Sequence, residues 1–385
     1  MGSFRVLHAP TSTGGNPQAL NRALRQLGVV SRSLVVSQNY LEFPADIVLH
    51  RPGQSLLLRE LKRIWAIVWQ LPRYDLIHYN SGTTIASAYS VEFLASEGLR
   101  GLLRQTYAAY LRALQLLELA YVRWLGKVVF VTYQGDDARQ GDYSLAHFSV
   151  SIASHVPKGY YCPRSDRFKR GSIKRMATLA SEIYAVNPDL MHVLPEHARF
   201  IPYGNVFVNE WTPCFSQDHS GPLRILHAPS HRGAKGTDVI LSALEVLKEA
   251  GYVFELILVE GISNVEARKI YSNADILIDQ LFAGWYGGLA VELMALGKPV
   301  IAYLRDEDLR FIDPNMRDAL PIVRACPETV SKVLRAVLEM PRRELVALGR
   351  RSRAFVERWH DPEQIASMIK RDYELALAGK DARKT

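Results

Sequence analysis

The chain has 385 residues and a mass of 43.4 kDa, with 48% apolar and 22% charged residues. At about 100–200 residues per domain this makes two or three domains with ordinary cores, and it excludes global disorder. The formal charge of +8 is uneven: residues 1–205 hold 23 Lys and Arg against 14 Asp and Glu, residues 206–385 hold 24 against 25, so the basic first half calls for an anionic partner.

The rhythm along the chain is strand, short loop, helix. Residues 4–9 are a short apolar run opening into the loop 10–16, and a helix pattern follows to Leu27, stopped by Gly28. The start, MGSFRVLHAP, lacks the charged beginning and apolar stretch of a secretory leader, so a cytoplasmic setting is expected. Residues 29–36 read as strand, 55–70 as helix, and 75–79 as a strand ending at His78-Tyr79. A long helix over roughly 102–125 ends at Gly126 and feeds the strand 128–133. Arg112, Glu118 and Arg123 interrupt the most apolar stretch and argue against a membrane-spanning helix. Residues 140–172 break the rhythm and read as a long loop. A cationic run, Lys158 to Arg175, carries Tyr160, Tyr161 and Phe168, and fits an anionic acceptor or membrane surface; nothing points to nucleic acid. Strands at 182–187 and 199–202 close the first domain, residues 1–205.

Residues 206–222 read as a linker. The rhythm then restarts at 223–227, repeating the Leu-His-Ala-Pro of residues 7–10. Residues 237–250 place Val239, Ile240, Ala243, Leu244 and Leu247 on one helical face. Strands are predicted at 254–259, 275–279 and 299–304, a helix at 288–296, and three helices from 327 to 378. The whole is α/β: two Rossmann-like doubly wound domains in tandem, facing a cleft, the second over 223–360. Residues 361–385 are expected to form a helix crossing back to the first domain, with a fraying tail. The three scattered cysteines, Cys162, Cys214 and Cys326, exclude a disulfide framework and a zinc site.

Ligands of open parallel sheets bind beyond the carboxyl ends of the strands. Two loops there are chemically equipped. In Ser230-His231-Arg232-Gly233-Ala234-Lys235, a strand leads in and a helix leads out, so free amides join two cations in a cradle suited to a diphosphate. In Gly284-Trp285-Tyr286-Gly287-Gly288-Leu289, glycines permit close backbone approach, and Glu292 falls one turn inside the next helix. A carboxylate there can accept two hydroxyl hydrogen bonds, as a ribose diol offers.

The segments LRILHAPSHRGAKGTDVI, FELILVEGIS, SNADILIDQLFAGWYGGLAVELMALGKPVIAY and FVERWHDPEQIASMI resemble the C-terminal domain of retaining GT-B glycosyltransferases, most closely family 4. The resemblance implies a retaining hexosyltransferase of bacterial polysaccharide or envelope glycan synthesis. Its donor would be a nucleotide diphosphate sugar, and its acceptor a glycan or a lipid-linked hydroxyl. Lys235, with Arg232 or Ser230, would hold the diphosphate, Glu260 and Gly261 would lie near the nucleoside, and Glu292 would take the ribose. Tyr286, Gly287, Gly288 and Leu289 would meet the phosphates and sugar, with Gly14 and Gly15 approaching from across the cleft. Gln134 and Asp137, with Lys235 and Glu292, would supply the catalytic contacts, with His78 and Arg139 on the acceptor side. No cofactor or metal is expected, and peripheral contact with an anionic membrane is.

Three departures stand out. The family's first glutamate, eight positions before Glu292, is Gly284 here. Its active-site histidine is Gln134, which hydrogen-bonds but moves no proton. Its basic residue five or six positions before Lys235 is replaced by Pro229 or Ser230. They leave open a degenerate scaffold that binds nucleotide or glycan without turnover.

Overall fold

The computed structural model describes residues 4–86, 98–215 and 221–382. The tail expected to fray, residues 379–385, is helical as far as Asp381, and its last three residues lie outside the described range. Strands β1 (Arg5–Ala9), β2 (Val30–Ser37), β3 (Ile47–His50), β4 (Leu76–Tyr79), β5 (Val128–Tyr133), β6 (Glu182–Ala185) and β7 (Arg199–Phe200) form one sheet in the order β3-β2-β1-β4-β5-β6-β7. Strands β8 (Leu223–His227), β9 (Phe254–Leu258), β10 (Ile276–Ile278), β11 (Val300–Ala302) and β12 (Val323–Arg324) form a second, in the order β12-β11-β10-β8-β9. Every pairing is parallel, with registers such as Val6↔Leu76 and Ile225↔Ile276. β4, β5, β10 and β11 are buried along their whole length, which is why they read as unbroken apolar runs.

β3 and β12 escape sequence reading because they are short edge strands of four and two residues. The stretch 140–172, expected as a loop, holds the helix Gly141–His147 and the start of the helix Pro163–Leu179. That second helix begins on Cys162-Pro163-Arg164-Ser165. Proline occupies the first turn, and Ser165 Oγ accepts from the Cys162 N–H at 3.1 Å. Asp306-Glu307-Asp308 opens the 3₁₀ helix Asp306–Phe311. Asp308 is buried there between His192 Nε2 and Arg305 Nη1, each at 2.8 Å.

The helix Pro362–Asp381 leaves the second sheet and lies on the helix Asn16–Gln26 and on β5. Its Tyr373 ring meets Phe130 edge-on at 4.7 Å, Asp372 accepts from the Tyr184 hydroxyl at 2.6 Å, and Lys370 Nζ reaches the Leu27 carbonyl. One apolar core therefore runs from β1 and β5 through Tyr203 and Trp211 to Trp285 and Met294. The outer face of each sheet keeps a core of its own.

Candidate active site

In the first sheet the chain steps from β1 outward to β3, then returns to β4 on the other side. In the second it steps from β8 to β9, then returns to β10. The loops part at both reversals and leave a crevice. These crevices open on one cavity of about 450 Å³ between the sheets, the size of a small-molecule site (about 300–1,000 Å³).

Lys235 ends a single turn, Arg232–Lys235, whose start is capped by His231 Nδ1 accepting from the Ala234 N–H at 3.1 Å. Its ammonium donates to Asp279 Oδ1 at 3.0 Å and to Gln280 Oε1 at 2.6 Å. Three donors against two acceptors leave one for the cavity, which Lys235 lines. Asp279 is buried at the end of β10, and its other oxygen accepts from the Gly287 N–H at 2.6 Å. One carboxylate thus fixes both the cation and the start of the helix Gly288–Ala295. In that first turn the N–H groups of Gly288 and Leu289 have no acceptor within the helix, and both residues line the cavity.

Glu292 sits one turn further in. It is 5% exposed, and Asn264 Nδ2 donates to both its oxygens, at 3.0 and 3.3 Å. Burial pushes its carboxyl up to about 7, against the pull of Asn264 and Arg268. Asn264 opens the helix Asn264–Tyr271, set by a capping box between Ser263 and Glu266. Ser230, Glu260 and Gly261 complete this wall.

The facing wall carries Gly14 at φ +59° and Gln134, whose Oε1 accepts from Asn16 Nδ2 at 3.3 Å. Arg139 also lines it, but its guanidinium is engaged by Asp189 at 2.7 Å and Asp136 at 2.9 Å. Asn187 ties this wall together, donating to the Gln134 carbonyl at 2.6 Å and accepting from the Tyr203 hydroxyl at 2.7 Å.

No family model matches the chain, and no curated protein does. Solved structures do. Sucrose-phosphate synthase from Thermosynechococcus elongatus matches at a TM-score of 0.62 and 15% identity, over 98% of this chain and 100% of that one. The catalytic domain of starch synthase IV from Arabidopsis thaliana, solved with ADP and acarbose, matches at 0.61 and 10%, over 98% and 100%. A glycosyltransferase from Rickettsia africae matches at 0.57 and 14%, over 98% and 99%. The chain has the GT-B fold.

Within this GT-B chain, five expected site residues lie elsewhere. Asp137 turns back into its own loop, accepting from the N–H groups of Gly82, Gln134 and Gly135. His78 is buried under the C-terminal helix. Its Nδ1 meets the Tyr373 hydroxyl at 2.5 Å and its Nε2 the Thr132 hydroxyl at 2.7 Å, and burial holds its pKa well below the usual value. Gly15 faces the Phe43 ring, Arg232 stands at the rim, outside the lining itself but paired with the lining residue Glu260 at 2.8 Å, and the Tyr286 hydroxyl meets His360 Nε2 at 2.9 Å behind the helix start. Asp279, Gln280, Asn264, Asn187 and Asn205, whose Nδ2 donates to the Gly288 carbonyl at 3.4 Å, are not among the expected site residues; Asp279 had one signal, its place at a strand end in front of a glycine loop.

Gly284 has a structural reason. Its φ is +78°, and a Cβ there would lie 2.6 Å from Arg305 Nη1. Arg305, bonded to Asp308 and the Val150 carbonyl at 2.8 Å each, fills the space beside Gly284, where a side chain would start. Gly284→Ala is expected to destabilise the protein by about 3 kcal/mol through backbone strain and overpacking, read as a lower melting temperature. An unchanged melt would show that the loop yields.

Proposed function

We propose that this protein is a retaining glycosyltransferase that moves a sugar from a nucleotide diphosphate sugar to a hydroxyl of a glycan or lipid-linked acceptor, in polysaccharide or envelope glycan assembly. The observation that carries this reading is the wall between β8 and β10: a tethered ammonium and a helix start stand beside a buried carboxylate. Lys235 and the Gly288 and Leu289 amides meet the diphosphate, and Glu292 accepts from the ribose hydroxyls. The ADP in the starch synthase IV structure supports a nucleotide in this fold.

In the proposed reaction the bond from the anomeric carbon to the β-phosphate oxygen breaks, and the acceptor oxygen bonds to the same face of that carbon. The departing phosphate takes the acceptor's proton, so no enzymic base is needed. That accommodates Gln134, which orients a hydroxyl. The rate comes from positioning and from charge stabilisation on the diphosphate. A second reading, a scaffold that binds nucleotide without turnover, draws on the Arg305 cluster that stands beside Gly284.

Calorimetric titration with a panel of nucleotides and nucleotide sugars separates the two. Binding of a nucleotide sugar with slow release of free nucleotide is the expected result. Binding without release supports the scaffold, and no nucleotide binding at all sinks both.

A further inference from the structure

The outer helices of the first sheet carry an apolar face with a cationic rim. On the helix Leu56–Trp65 and its continuation to Gln70, Leu57, Leu61, Ile64, Trp65, Val68 and Trp69 are 42–70% exposed. They recur every three or four residues and so share one side of the helix. On the helix Gly98–Trp124, Leu102, Leu116, Leu117 and Trp124 are 49–78% exposed, with Ala109, Ala113 and Ala120 exposed between them on the same side. The Tyr107 hydroxyl donates to Glu60 at 2.6 Å and the Tyr121 hydroxyl reaches the Val68 carbonyl, so the two helices lie side by side. The exposed apolar sides of these neighbouring helices hold three of the chain's six tryptophans. A patch of this kind marks an interaction surface rather than scattered exposure.

The charge around it selects the partner. The other flank of Gly98–Trp124 meets the helix Pro163–Leu179, with the Arg112 guanidinium over the Phe168 ring. Arg112, Arg164, Arg167 and Arg175 surround a surface cavity of about 550 Å³. Each of the three helices has one acid, Glu60, Glu118 or Asp166, and each is turned inward. Glu60 holds Tyr107 and Arg63, Glu118 accepts from the Ile85 and Ala86 N–H groups, and Asp166 accepts from those of Gly141 and Asp142. Exposed Leu and Trp beside arginines, with inward-turned acids, fit the interfacial layer of an anionic bilayer.

We propose that this face docks the protein on a membrane of anionic phospholipid, with tryptophans and leucines in the interfacial layer and the arginine-lined cavity on lipid phosphates. It does not depend on the transferase reading. It narrows the cationic contact expected from residues 158–175 to Arg164, Arg167 and Arg175 and adds the apolar helices beside them, since Lys169 is buried on the Arg139 carbonyl and Arg170 pairs with Asp142. Among the described residues no helix is long and apolar enough to cross a membrane, so the contact is peripheral.

The test is flotation of the full chain with vesicles of pure phosphatidylcholine and of phosphatidylcholine mixed with phosphatidylglycerol. The expected result is partitioning to the mixed vesicles with a blue shift of tryptophan emission. Trp65→Gln/Trp69→Gln/Trp124→Gln should weaken partitioning at least about tenfold. Arg167→Gln/Arg175→Gln should weaken it about tenfold and remove the preference for the mixed vesicles. Melting curves confirm that both variants fold. Absence of partitioning, or partitioning unchanged in both variants, overturns the proposal. So does a concentration-dependent dimer that the tryptophan variant abolishes, since the patch would then join two copies.

Discussion

Lys235→Met is expected to lower sugar transfer at least about a hundredfold. In the proposed reaction negative charge builds on the departing diphosphate. An ammonium held at that point by Asp279 and Gln280 stabilises it without reorganising. Removing a group of this kind typically costs about 3 kcal/mol of barrier, or a factor of a hundred to a thousand. The substitution also leaves Asp279 buried with only the Gly287 N–H as a donor among its described bonds, which lowers stability by about 3 kcal/mol. Lys235→Met/Asp279→Asn separates the two effects, because it removes the uncompensated charge: the melting temperature should recover while transfer does not. Arginine is not expected to rescue. A guanidinium is a longer, planar fork and does not place its donors where the compact ammonium meets Asp279 Oδ1 and Gln280 Oε1. Transfer by Lys235→Met within about threefold of the parent would remove this residue from the mechanism.

Much of the site was legible because its chemistry stands at ends of elements that announce themselves. Strands covered on both faces are apolar throughout, so β5 and β10 are visible as runs, and β8 is legible despite Arg224; the carboxyl ends of β5 and β8 point to Gln134, Ser230 and Lys235. Glu292 is conspicuous because it is the one charged residue in an apolar helix. Illegible were contacts made by residues distant in sequence. His78 shares its sheet face with Leu76 and Phe130, and what covers that face is Tyr373, 295 residues later. The pairing of Lys235 with Asp279 requires β10 to lie beside β8 rather than β9, which no local pattern encodes. Tyr286 and Gly287 are neighbours, yet one side chain packs on His360 while the other residue gives its N–H to Asp279. That divergence is a matter of backbone direction within a glycine turn.

Glu292→Gln should stabilise the empty protein at high pH and weaken nucleotide binding. The carboxyl is raised to about 7 from an unfolded value near 4.5, with burial the leading cause. Between these values the folded state binds more protons than the unfolded one. The stabilisation is therefore complete below about pH 4.5 and is lost as pH rises through 7, a change of about 3 kcal/mol. The amide carries no charge, so the variant should melt higher than the parent at pH 8 and close to it at pH 5. Binding should move the other way. The ionised carboxylate offers a charged oxygen to each hydroxyl of a diol, whereas the amide offers one neutral oxygen and a donor. Hydrogen bonds to a charged group contribute about 1.5–3 kcal/mol each, so the variant should bind nucleotide about 10- to 100-fold more weakly at pH 8. Affinity of the parent should rise from pH 6 to pH 8 more steeply than that of the variant. The nucleotide's own phosphate also titrates near pH 6, but equally for both proteins, so the difference in slope belongs to Glu292. A residue kept ionised at the expense of stability is what a binding site requires of its ligand-facing groups. Equal affinity at pH 8 together with parallel pH profiles would assign Glu292 to the core instead.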